Sequence, residues 1–188
     1  MNFILKNNIE NSNAHRASRD ENAQFILNDF DLFPEFLELT LDCNDKNHFK
    51  ACWIMELVLE ENLSLLLPNL DRFCTNLKRY TNHSAIRSIS KICMFLAKSH
   101  IKSLKQNEIV LSQNQMQTIS EKCLDWIIDE NEKVASKAYA IRTLFELGKI
   151  QDWIYPELKR ILSDDYMKHS YAYKAVAREI LKKINKQK

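Results

Sequence analysis

Four stretches of the chain share one spacing. A basic residue is followed three positions on by a mostly small residue and seven positions on by a large apolar one. The sets are Lys50, Trp53 and Leu57; Arg87, Ser90 and Met94; Lys137, Ala140 and Leu144; and Lys174, Ala177 and Leu181. Positions i, i+3 and i+7 fall on one side of an α-helix. The basic positions lie 37, then 50, then 37 residues apart, the long interval being one repeat plus a connector near Ile101 to Leu111. The three prolines, Pro34, Pro68 and Pro156, each precede the basic residue of a set by 16 to 19 residues, and each is followed two positions on by Phe36, Leu70 or Leu158. A proline in the first turn of a helix loses no hydrogen bond, because its N–H would have no partner there. Each unit therefore reads as a helix opened by proline and a second helix carrying the basic residue, a period near 40 typical of helical repeats.

Composition points the same way. One glycine in 188 residues is too few for tight hairpins or phosphate-cradling loops, which excludes sheet-rich and nucleotide-binding folds. The five cysteines, Cys43, Cys52, Cys74, Cys93 and Cys123, form no C-x-x-C pair and sit singly in apolar patterns. They read as buried thiols of a reducing compartment. The start of the chain lacks the apolar segment of a signal peptide, and no run is long enough to span a membrane, so a cytoplasmic location is expected.

The residues divide into an Asn-rich N-terminal arm over 1–18, expected to be loose although Phe3, Ile4 and Leu5 could dock, and a single helical domain over 19–188. Ser18 or Asp20 is positioned to cap a first short helix, and Leu63 to Tyr80 to form one with Pro68 in its first turns. Between Ala51 and Leu59 only Glu56 is polar, which predicts a helix buried on most sides. Ser112 and Gln115 match a capping box. Gly148 ends the helix of the stretch Lys133 to Lys149 as a left-handed cap would. A turn over Ser163 to Tyr166 leads to a last helix from His169 to Ile184.

On these residues the chain resembles the HEAT/armadillo-like family. The first-helix pattern of that family is seen in LLPNLDRF (Leu66 to Phe73) and IYPELKRIL (Ile154 to Leu162), and the second-helix pattern in IRSISKICM (Ile86 to Met94) and SKAYAIRTL (Ser136 to Leu144). The resemblance covers about Asp31 to Ile184 and implies an all-α, right-handed α-α superhelix of about four helix pairs. The pair starting at Ser112 lacks the proline, and Trp53 is bulky for its position. Terminal and irregular repeats depart in this way.

Charge is uneven although the net is only +2. Asp20 to Asp45 holds eight acidic residues and no Lys or Arg, while Arg72 to Asn107 holds eight basic residues and no Asp or Glu. Within that basic block Arg87, Lys91, Lys98, Lys102 and Lys105 partly share a helical face. Together with Arg142, the residues Arg87, Lys91, Lys98 and Lys102 form the candidate surface for an acidic partner or another anion. A solvated face, or a complement to the acidic first pair, is the competing reading. The ladder Lys50, Arg87, Lys137 and Lys174 has a structural reading: in HEAT-like repeats such a residue contacts the preceding turn, where this chain has Asn44 and Asp45, Asn82, and Asn131.

No Ser or Cys sits in a nucleophile motif, and no His stands at ligand spacing from a Cys. His15, His48, His83, His100 and His169 are far apart and read as turn or capping residues. No cofactor, metal or membrane contact is expected. What the resemblance implies is a non-catalytic scaffold or adaptor that binds a protein or peptide on the surface lined by its second helices. An alternative is nucleic-acid binding like that of the HEAT-like alkylpurine DNA glycosylases, which would draw on Trp53, Trp126 and Trp153 with Asp125 or Asp129. A lyase-type role like that of the phycobilin lyases would rest on fold analogy alone.

Overall fold

The computed structural model describes residues 2–164 and 170–186. Among these residues ten α-helices and four short 3-10 segments occur, and no strand. The chain divides into two compact units, residues 1–92 and 93–188.

The first unit opens with helix α1, Phe3–Asn11, where the sequence suggested a loose arm. Asn2 caps it: its Oδ1 accepts from the Ile4 and Leu5 N–H groups at 3.0 and 3.2 Å. Such a cap contributes about 1 kcal/mol. Leu5 and Ile9, four residues apart, are the buried side of α1, while Phe3 and Ile4 face outward. Helix α2, Arg16–Leu27, starts before Ser18, with His15 at its N-cap. Asp20 consequently lies one turn inside and pairs with Arg16 at 2.8 Å instead of facing the helix end. Helix α2 also carries Arg19 with Ile26 seven positions on, the spacing of Lys50 and Leu57. A fifth helix pair, α1 and α2, thus precedes the four legible in the sequence.

Helices α3, Phe33–Leu41, and α4, His48–Glu61, follow. Pro34 sits in the first turn of α3, where it costs no hydrogen bond. Helix α4 packs against α1, α2 and α3. It buries Ala51, Cys52, Ile54, Met55, Leu57, Val58 and Leu59. Burying each of the larger of these side chains is worth about 1.5–3 kcal/mol, so α4 is the main apolar post of this unit. The segment Leu63 to Tyr80 is one helix in expectation but three pieces in fact. A 3-10 stretch over Leu63–Asn69 leads into helix α5, Leu70–Asn76, and a 3-10 turn over Leu77–Arg79. Pro68 stands inside the first piece and supplies no N–H to an α-helical ladder. Helix α6, His83–Ser103, runs on into the expected connector.

In the second unit, helix α7, Gln113–Ile128, begins with the capping box. The Ser112 N–H donates to Gln115 Oε1 at 2.9 Å, and the Gln115 N–H donates to Ser112 Oγ at 3.2 Å. Helix α8, Val134–Leu147, packs against α7, against helix α9, Ile154–Asp164, and against helix α10, Tyr171–Asn185. Ala140 and Ala177 are fully buried in these contacts, which is the close approach that small residues permit. Ala175 is exposed.

Gly148 is not left-handed: its φ is −64°. What requires glycine there is space. A Cβ at Gly148 would stand 2.3 Å from the Tyr155 ring, and the Tyr155 hydroxyl donates to the Phe145 carbonyl at 3.0 Å. The turn expected over Ser163–Tyr166 and His169 at the start of the last helix lie wholly or partly outside the described residues.

Candidate functional site

The basic block divides into paired and open cations. The paired ones gather on Glu56, the lone polar residue in the apolar face of α4. Its side chain is almost fully buried, and a carboxylate there is stable only with donors and counter-charges. Three hydrogen bonds from α6 supply them. Arg87 Nη1 donates to Glu56 Oε2 at 3.0 Å, and the Ser88 hydroxyl donates to the same oxygen at 2.7 Å. Lys91 Nζ donates to Glu56 Oε1 at 2.9 Å and reaches Glu60 Oε2 at 3.2 Å. Burial presses the Lys91 ammonium downward, but the carboxylates of Glu56 and Glu60 outweigh it and leave its pKa raised. Arg16, held by Asp20, also lies within the field of Glu60 and Glu56. At the near end of the block, Arg72 makes a two-pronged pair with Glu38 at 2.7 and 2.9 Å, an exposed contact of small energetic weight.

The open cations lie further on. Lys98, Lys102 and Lys105 are exposed and make no ion pair or hydrogen bond among the described residues. Lys98 and Lys102 are on the last turns of α6, and Lys105 is in the 3-10 turn Leu104–Gln106 that continues it. Asn107 then adopts a left-handed φ of 59°, which asparagine tolerates better than most residues and which turns the chain sharply. The returning loop is pinned by His100. Its Nδ1 accepts from the Val110 and Leu111 N–H groups at 3.3 and 3.1 Å, which requires an unprotonated Nδ1. Burial lowers the His100 pKa and favours that neutral form.

The remaining sequence-derived positions are spread out. Arg142 on α8 reaches Glu179 on α10 at 3.4 Å, and Glu179 also accepts from Lys183 at 2.6 Å. Of the ladder, Lys50 donates to the Glu10 carbonyl at the end of α1, and Arg87 takes Glu56 on α4. Neither reaches its preceding turn, where Asn82 instead caps α6 by accepting from the Ser84 N–H at 2.9 Å. Lys137 is 2% exposed on α8, and Lys174 Nζ stands 5.9 Å from the centre of the Tyr171 ring. Sequence reasoning marked Glu56 only as the lone polar residue of its helix and missed Glu56, Glu60 and Ser88 as the partners of the basic block. The available signal was a single glutamate in an apolar helix, which demands a buried cation.

Three aromatic candidates differ sharply. Trp126 is 2% exposed and carries Lys122 at 5.7 Å from its ring centre, so no ligand stacks on it. Trp53 is half-buried edge-to-face on Phe49, and Trp153 is exposed. Burial pushes the Cys52 thiol well up and the Cys74 thiol up to about 12, which keeps both protonated and poor nucleophiles. Among the described residues no group of His, Cys, Asp and Glu is arranged to hold a metal ion, and no helix is long and apolar enough to cross a membrane.

No curated protein and no solved structure matches the chain. A family model described as HEAT repeat domain matches residues 5–184, from Leu5 on the buried side of α1 to Ile184 in α10. That span takes in all five helix pairs, so the chain belongs to the HEAT repeat family.

Proposed function

We propose that this protein is a non-catalytic interaction scaffold that holds a protein partner on its helical repeats. The observation that carries the reading is the extent of the repeat match, residues 5–184, which gives nearly the whole of this sequence to one helical repeat. Repeat proteins of this kind recognise partners through extended surfaces, and need no catalytic constellation to do so. The free thiols suit a reducing compartment, and we place the protein in the cytoplasm.

The test is affinity capture of the tagged full chain from its native cell extract, with chemical crosslinking and mass spectrometry of what co-purifies. The expected result is one protein recovered in a fixed ratio, crosslinked to the repeats and released by salt. Recovery of no protein under these conditions, or turnover of a small-molecule substrate by the purified chain, contradicts the reading.

A further inference from the structure

A cavity of about 680 Å³ opens at the turn between α8 and α9, within the second unit. Its volume is in the range of ligand sites. Much of the lining comes from one side of α9 and its lead-in: Asp152, Tyr155, Pro156 and Lys159 stand at i, i+3, i+4 and i+7. Gly148 and Lys149 beyond the end of α8, and Ile184 in α10, complete it.

The charges in this lining are unequally engaged. The Lys149 ammonium pairs with Glu146 and stands 5.2 Å from the centre of the Phe145 ring. Exposed Asp152 and half-buried Lys159 have opposite charge and line the same cavity, yet neither makes an ion pair or hydrogen bond among the described residues. Seven residues at the helical rise separate them by about 10 Å. Tyr155 and Pro156 lie between them in the sequence and line the same space. The cavity thus offers a carboxylate, an apolar stretch and an ammonium in that order. The turn that carries Asp152 is held in place. The Ser120 hydroxyl donates to Gln151 Oε1 at 3.0 Å, the Gln151 N–H to the Leu147 carbonyl at 3.0 Å, and the Ile154 N–H to the Gln151 carbonyl at 3.1 Å. A site set before binding lowers the ordering cost of a complex.

We propose that this cavity binds a short extended peptide segment of a partner protein, in which one basic and one acidic residue flank apolar side chains. The basic group meets Asp152, the acidic group meets Lys159, and the apolar side chains lie against Tyr155, Pro156 and Ile184. An extended chain rises about 3.3 Å per residue, so a basic and an acidic residue three positions apart match the separation of the two charges. A nucleic acid fits poorly, since Asp152 repels phosphate and one open ammonium replaces few counterions.

This inference rests on the scaffold reading, and its test separates the two. Peptides with blocked ends, Arg-Leu-Leu-Glu and the reverse Glu-Leu-Leu-Arg, are titrated into the nitrogen-15-labelled full chain and followed by amide chemical shifts. The tighter of the two should move the amides of residues 148–159. Replacing its arginine or its glutamate by glutamine should weaken it about threefold in each case. Asp152→Asn should abolish the advantage of arginine over glutamine and leave that of glutamate. Lys159→Gln should do the reverse. Failure of both peptides to bind wild type overturns the proposal, as do shifts confined to other parts of the chain. Binding that is unchanged in D152N/K159Q overturns it as well, and so does tighter binding of a thymidine tetranucleotide. A native partner captured equally by wild type and D152N/K159Q sinks this site and leaves the scaffold reading standing.

Discussion

Lys91 and Glu56, thirty-five residues apart in the chain, meet at 2.9 Å, with the carboxylate almost completely buried and the ammonium mostly so. The contact fastens α6 to the apolar post α4. It also takes Lys91 out of the set of cations available to a partner. The acidless stretch from Arg72 to Asn107 is therefore not one surface. Arg72, Arg87 and Lys91 are counter-charged by Glu38, Glu56 and Glu60, while Lys98, Lys102 and Lys105 meet no acid among the described residues.

Removing the buried carboxylate should be costly. Glu56→Ala takes the carboxylate acceptor from buried Ser88 and strips Lys91 of one of its two carboxylates, while half-exposed Arg87 can turn to water. The expected loss is about 2–4 kcal/mol, toward the lower part of the range for broken buried pairs. The urea midpoint measures it, and a midpoint equal to wild type would show that the network contributes nothing to stability.

Gly148→Ala should destabilise by about 1–3 kcal/mol, because the new methyl group occupies space held by the Tyr155 ring. The cause is specific, so it can be separated from helix propensity. In a double-mutant cycle with Tyr155→Ala, the cost of Gly148→Ala should shrink markedly. A cost that is the same in both backgrounds points to the backbone instead.

Ala140→Leu should overpack the α8 interfaces and cost about 1–3 kcal/mol, since Ala140 has no exposed surface. Ala175→Leu, at an exposed site on α10, should leave the midpoint within about 0.5 kcal/mol. Equal midpoints for the two variants would remove the packing argument for small residues at the shared repeat position.

His100 gives a pH dependence of definite sign. Its folded pKa lies below the ordinary 6.5, so the unfolded chain binds the proton more readily. Stability from this residue is fully present above pH 6.5 and falls as the pH drops below it toward the folded pKa. Protonating Nδ1 also costs the hydrogen bonds from Val110 and Leu111. His100→Gln retains a side-chain acceptor without that titration, so its stability should vary less between about pH 7 and pH 5. Parallel pH profiles for the two proteins would exclude His100 as the source.

The repeat was legible because stacking imposes a fixed register, and Lys50, Arg87, Lys137 and Lys174 mark it. Family and helical class followed from that register. The first pair was not legible. It has no proline, its α1 is capped by Asn2 and contains polar Asn7, Asn8 and Asn11, and only Leu5 and Ile9 are buried along it. Such a helix is stable through docking and not through propensity. Which cations are free was equally hidden. Arg87 and Lys98 look alike in sequence, and the difference is a glutamate some thirty residues before Arg87 on another helix. Gly148 illustrates the same point: the sequence marks the end of α8, while the reason for glycine is a tyrosine ring from the next helix.

The most direct measurement is the urea midpoint of R87Q/K91Q beside that of K98Q/K102Q/K105Q, each followed by circular dichroism. If Arg87 and Lys91 are structural partners of buried Glu56 and the three later lysines are not, R87Q/K91Q lowers stability by about 2 kcal/mol or more and K98Q/K102Q/K105Q leaves it within about 0.5 kcal/mol of wild type. Equal midpoints for the two variants, or a loss confined to K98Q/K102Q/K105Q, would contradict the account.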